Sequence, residues 1–164
     1  KDKYLERFAY TVSAILLISY NLSHLILLRN LKEGAKIVFF IMVSIWIGDT
    51  FAYIVGKKFG KHSLNNVSPK KTIEGFIAGV FSTVIFFYII SRYFSLLSPL
   101  NFMFFAIIIS ISSQLSDLAE SLIKRACGVK DSSNLLPGHG GFLDRFDSYL
   151  FAAPISYYFL VLIR

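Results

Sequence analysis

The chain is 164 residues, about one domain, with 55% hydrophobic, 16% aromatic and only 16% charged residues, against roughly 25% charged in ordinary soluble domains. A mean hydropathy of +0.61 excludes a disordered chain and a soluble globule, and the lone Cys127 excludes a disulfide-stapled module. The net charge of +7 is confined to short stretches between apolar runs, with no basic helix or aromatic-interleaved basic stretch, which argues for a membrane protein and against nucleic acid as a partner.

Five apolar runs approach the ~20 residues that a helix needs to cross a ~30 Å hydrocarbon core. In chain order they are Phe8 to Leu28, Lys36 to Gly56, Glu74 to Ser91, Leu100 to Ile123 and Ser148 to Ile163. The last is short, its start extends back toward Asp144, and Pro154 inside it predicts a kink. Runs this long and uniformly apolar exclude barrel strands, so the fold class is an all-α, polytopic bundle of about five transmembrane helices. Charge bias orients it. Lys1, Lys3, Arg7, Lys57, Lys58, Lys61, Lys70, Lys71, Lys124, Arg125, Lys130 and Arg145 fall on one side, against Arg29, Lys32, Lys36, Arg92 and Arg164 on the other. The richer side is expected to face the cytoplasm, and both long polar connections, Lys57 to Thr72 and Lys124 to Arg145, lie there.

Acids inside apolar helices carry the functional signal. Asp49, in WIGDTFAY, and Asp117, in SQLSDLAES, each lie about seven residues, roughly 10 Å, inside the cytoplasmic rim. An ionised carboxylate there costs on the order of 3 kcal/mol unless it meets water, a cation or a basic partner. One reading is a structural Asp paired with a snorkelling Lys; the other is a polar cavity open to the cytoplasm. Spacing favours the cavity, because Asp117, Glu120, Ser121 and Lys124 follow i, i+3, i+4, i+7 and share a helix face. Asp144 and Asp147 repeat the i, i+3 pairing on the same side, with helix N-terminal capping as their alternative role. Hard oxygen ligands from separate helices suit Mg²⁺, which takes one or two carboxylates plus substrate phosphates, and the number of acids leaves room for a second cation.

The connection KRACGVKDSSNLLPGHGGFLDRFD places Lys124, Arg125, Lys130 and Arg145 where they can neutralise phosphate oxygens. Pro137, Gly138, Gly140 and Gly141 allow a sharp backbone turn around His139. In the other connection, Lys70 and Lys71 stand immediately before a span, either as lipid anchors or as headgroup ligands. Asn21, Ser23 and His24 read as helix-packing polar groups, His62 as a loop residue without a role, Trp46 with the many Tyr and Phe as lipid-facing bulk, and Cys127 as a reduced thiol.

The stretch Ser121 to Asp147 resembles the signature of the phosphatidate cytidylyltransferases, or CDP-diacylglycerol synthases. Ser121, Lys124, Arg125, Lys130, Asp131, Pro137, His139, Gly140, Gly141, Asp144, Arg145 and Asp147 fill that pattern at its spacings, and GDTFAYIVGKKFGKH and SPKKTIEG upstream are also similar to the family. The resemblance implies synthesis of CDP-diacylglycerol and pyrophosphate from CTP and phosphatidic acid with a divalent cation, and metal ligation by Asp117 and Asp144. It implies catalytic roles for Glu120, Lys124, Arg125, Arg145 and Asp147, and substrate contacts from Asp49, Lys70, Lys71, Ser121, Lys130, Asp131, His139, Gly140 and Gly141. Family members are longer, so residues 1–164 are expected to form one transmembrane catalytic domain matching their C-terminal part, with the signature over residues 113–150. Expected partners are CTP, phosphatidic acid and the bilayer of a bacterial inner membrane, with a homodimer as the assembly to test. The rivals are a CTP-dependent lipid kinase of the dolichol or phytol type and, from another class, a transporter subunit, which would carry acids near the midplane.

Overall fold

The computed structural model describes residues 2–64, 68, 70–133, 135 and 140–163. Among these there is no β-strand, and five helical rods are long and apolar enough to span a membrane. The first rod joins α1 (Asp2–Ala14), a π-helical segment (Ile15–Tyr20) and α2 (Asn21–Asn30). The next three are α3 (Gly34–Phe59), α4 (Ile73–Tyr93) and α5 (Pro99–Ala126), and the last joins α6 (Leu143–Phe146) to α7 (Tyr149–Ile163). The predicted all-α bundle and its five spans are therefore present, each longer than its apolar run because polar end residues complete the terminal turns. The final rod does begin near Asp144. Its helix is interrupted at Asp147–Ser148, while α7 continues through Pro154.

Local chemistry explains the ends. Ser98 caps α5 by accepting from Asn101 N at 3.2 Å, with Pro99 in the first turn, where its missing N–H costs nothing. Thr72 caps α4 by accepting from Gly75 N at 3.1 Å. The tight turn into α3 passes through Glu33 in the left-handed region at φ 60°, and a side chain on Gly34 would meet the Arg29 carbonyl at 2.3 Å. The Lys36 ammonium, bonded to Glu33, holds that exposed carboxyl below its ordinary range.

The rods close into a ring in which α3 packs on α4, α4 on α5, α5 on α7, and α7 on α2, which returns to α3. The α3–α4 crossing is close: a Cβ on Gly75 would lie 2.6 Å from the Ala52 carbonyl, and one on Gly79 would lie 3.1 Å from that of Gly48. Many Tyr and Phe lie on the outer surface as expected, Tyr53, Phe81 and Tyr93 among them, while a smaller set fills the ring. Phe40, Phe87, Phe102, Phe105 and Tyr149 are all buried, and Phe87 meets Phe105 edge-on at 5.5 Å between centroids. Trp46 does remain outside, at 59% exposure. Of the three polar residues in the first rod, only His24 packs across helices, buried against the rings of Tyr157 and Tyr158. Asn21 and Ser23 instead bond carbonyls of their own helix, at Leu17 and Tyr20.

Candidate active site

At the end of the bundle that carries both long connections, α5 presents Asp117, Glu120, Ser121 and Lys124 along one face. Ser121 Oγ lies 3.5 Å from Asp117 Oδ1 one turn below. Lys124 Nζ sits 2.5 Å from Glu120 Oε2 and 2.6 Å from Asp144 Oδ1, so a single ammonium bridges α5 to α6. Glu120 is 3% exposed, and its Oε1 is buried with no hydrogen-bond partner among the described residues. Asp117 is paired with Lys71, which reaches across from the connection before α4. Asp49 on α3 is surface-accessible and interacts electrostatically with both Asp117 and Lys71. Asp147 completes the group, interacting with Asp117, Glu120 and Lys124. The acids read from the sequence therefore form one cluster drawn from α3, α5 and the α6–α7 rod.

Asp144 also organises the loop that precedes it. Its carboxylate accepts from Ser132 N at 2.9 Å, Ser132 Oγ at 2.8 Å and Gly141 N at 2.6 Å, in addition to Lys124. Gly140, at φ +77°, passes so close that a Cβ there would lie 2.8 Å from Asp144 Oδ2. Asp147 accepts from the N–H of the next residue, Ser148, at 2.6 Å. Gly140 and Gly141 thus lie against a carboxylate of the chain itself.

Several other predicted site residues are exposed at this end of the bundle. Arg125 is exposed and donates to the Val129 carbonyl at 3.2 Å. Lys70, Lys130, Asp131 and Arg145 are exposed at the same end. His139, with Pro137 and Gly138, lies outside the described residues. Cys127 is exposed just past the end of α5.

Four contributors were not anticipated. His62 pairs with Glu74, its Nδ1 lying 2.7 Å from Oε1. Tyr149, 3% exposed, places its hydroxyl by the Trp46 side chain and interacts electrostatically with Asp49 and Asp147. Ser116, fully buried, bonds the backbone of the last rod. Glu74 reads in the sequence as a span boundary, and Ser116 is one of several serines on α5. No local pattern separates such residues from ordinary polar positions.

Among the described residues, no three His, Cys, Asp or Glu lie close enough to hold one metal ion. Asp117 is paired with Lys71, while Glu120 and Asp144 share Lys124. The molecule so described is a multi-pass membrane protein with a basic-and-acidic cluster at one end of its helical ring. The cytidylyltransferase family profile matches residues 1–163, and the chain belongs to that family. It is similar to a phosphatidate cytidylyltransferase of Bacillus subtilis (strain 168), 39% identical over 164 residues that cover 96% of this chain and 60% of that protein. Another of that name, from a Synechocystis species, is 42% identical over 140 residues, covering 82% and 46%. One from Staphylococcus aureus (strain COL) is 38% identical over 167 residues, covering 92% and 60%. The chain thus spans about 60% or less of the length of these relatives.

Proposed function

We propose that the protein transfers the cytidylyl group of CTP to phosphatidic acid, giving CDP-diacylglycerol and pyrophosphate. The observation that carries this reading is the bridged set Glu120–Lys124–Asp144 beside Lys71–Asp117, at the end of the bundle that holds both basic connections. One substrate is a lipid and the other is water-soluble, so a site at the membrane rim admits both. That rim is the cytoplasmic face of a bacterial inner membrane in this reading, and a homodimer is the assembly to test.

A phosphate oxygen of phosphatidic acid attacks the α-phosphorus of CTP, a new P–O bond forms, and the bond to the β-phosphate breaks to release pyrophosphate. The attacking phosphate is already an anion, so the work of the site is positioning and charge neutralisation. Lys124, Arg125 and Arg145 offset charge on the transferring and departing phosphates, while Lys70 and Lys71 receive the lipid headgroup. Asp117 and Asp144 would hold a divalent cation, with Glu120 and Asp147 in support; when bound, it supplies neutralisation of phosphate oxygens. Support for that fit comes from the buried, unpartnered Oε1 of Glu120 and from the hard-oxygen donor set. Two carboxylates suffice for Mg²⁺ when water and phosphates fill the remaining positions.

The test is incubation of the purified protein with CTP in liposomes that hold phosphatidic acid or, in a parallel reaction, a long-chain lipid alcohol. Release of pyrophosphate with formation of CDP-diacylglycerol is the expected result. Release of CDP with a phosphorylated lipid alcohol would instead assign a CTP-dependent kinase.

A further inference from the structure

Glu74 lies in the first turn of α4 and touches none of the acids in the cluster by any bond described above. Its carboxylate instead gathers the chain leaving α3. Oε2 accepts from Lys61 N at 3.2 Å and His62 N at 3.4 Å, and Oε1 from His62 Nδ1 at 2.7 Å. Beside it the two arms of the connection run antiparallel: Ser63 bridges Thr72, Ile73 N donates to the His62 carbonyl at 3.0 Å, and Leu64 N to that of Lys71 at 2.7 Å. Lys71 N in turn donates to the Ser68 carbonyl at 3.0 Å. The backbone of Lys71 is therefore held on both sides, and its ammonium projects to Asp117 on α5, 46 residues away in sequence. A helix N-terminus favours an acid anywhere in its first turn, but that preference alone gives no reason for bonds to residues 12 and 13 positions upstream.

We propose that Glu74 is a positioning residue: with His62 it buckles the two arms of this connection together, so that Lys71 is presented at the acid cluster to receive the phosphate of the lipid substrate. The lipid-phosphate half of this statement rests on the function proposed above, whereas the buckle itself is independent of it. Freed from Glu74, the connection samples other conformations, and Lys71 pays an ordering cost each time a headgroup binds. Loss of the buckle therefore weakens lipid binding more than it slows the chemical step.

Two measurements on the full chain in liposomes test this. In kinetics, Glu74→Ala is expected to raise the apparent KM for phosphatidic acid about tenfold while kcat and the KM for CTP stay within about twofold, with His62→Ala moving in the same direction. The double variant Lys71→Ala/Glu74→Ala should be no worse than Lys71→Ala alone, since residues acting through one group are not additive. Additive losses, or a fall in kcat with an unchanged lipid KM, overturn the proposal. The second measurement needs no turnover. With Cys127→Ser as background, Lys71→Cys and Asp117→Cys are joined by a short bifunctional thiol reagent. Adding Glu74→Ala should lower the yield severalfold, and an undiminished yield overturns the buckle. Should Glu74→Ala fail to fold, Glu74→Gln and His62→Ala give the same two readouts. Absence of wild-type turnover would refute the proposed function, and the crosslinking would still decide the buckle.

Discussion

Ser116 on α5 donates its hydroxyl to the backbone carbonyl of Asp147, and the same oxygen accepts from Phe151 N at 3.1 Å. One buried side chain thus stitches α5 to the interruption between α6 and α7. The Asp147 carbonyl also accepts from Leu150 N at 3.2 Å, so the backbone group that relies on Ser116 is the Phe151 N–H, which would otherwise be unsatisfied at membrane depth.

Ser116→Ala should therefore cost about 1–3 kcal/mol, the penalty of leaving the Phe151 N–H unpaired. Ser112 offers the control, because its hydroxyl bonds only the Ile108 carbonyl of its own helix, at 2.6 Å. Thermal unfolding of the purified protein in detergent should show a clear fall in Tm for Ser116→Ala and a small change for Ser112→Ala. Equal shifts would remove the stitch from the account.

Lys124 stands between two carboxylates, one of them almost fully buried. Lys124→Met leaves Glu120 without its counter-charge, a loss of about 3–5 kcal/mol when a buried pair is broken from one side. Adding Glu120→Gln should recover most of the stability, because the stranded charge is gone, but none of the cytidylyl transfer. Recovery of both would mean that Lys124 acts only in folding.

Asp144→Asn retains the shape of the side chain but not its acceptor capacity. Ser132 N, Ser132 Oγ, Gly141 N and Lys124 all donate to this group, and an amide must turn its own NH₂ toward some of them. Turnover should fall about a hundredfold or more, on the scale of losing one preorganised electrostatic group. The protein should remain extractable in folded form. If a divalent cation is held there, protection of the wild type from thermal unfolding by Mg²⁺ should be lost in the variant. Wild-type rates and undiminished protection would exclude Asp144 as a ligand.

Gly75→Ala tests the α3–α4 crossing. The new methyl would meet the Ala52 carbonyl at 2.6 Å, which is backbone and cannot swing aside. A loss of about 1–3 kcal/mol is expected from overpacking, together with lower turnover, because Lys71 enters the cluster from just ahead of α4. Gly128 differs: nothing lies within 4 Å, and only its φ of +70° opposes a side chain. Gly128→Ala should cost about 1 kcal/mol from that conformation and leave turnover little changed.

The residues show where sequence reading reaches its limit. Apolar runs near the length that crosses a membrane dictate spanning helices, because no other structure satisfies every backbone group in lipid. Acids within those runs dictate a polar site, because an isolated charge there is too costly. The i, i+3, i+4, i+7 order from Asp117 to Lys124 already places four groups on one face, since helical periodicity is local. None of this says which acid meets which lysine. That Lys71 goes to Asp117, that Lys124 spans Glu120 and Asp144, and that Glu74 and Ser116 hold the two connecting segments, depend on how five helices close into a ring. Apart from the one-turn pair Glu120–Lys124, such contacts join residues 12 to 46 positions apart and follow from packing shape, which no short stretch of sequence encodes.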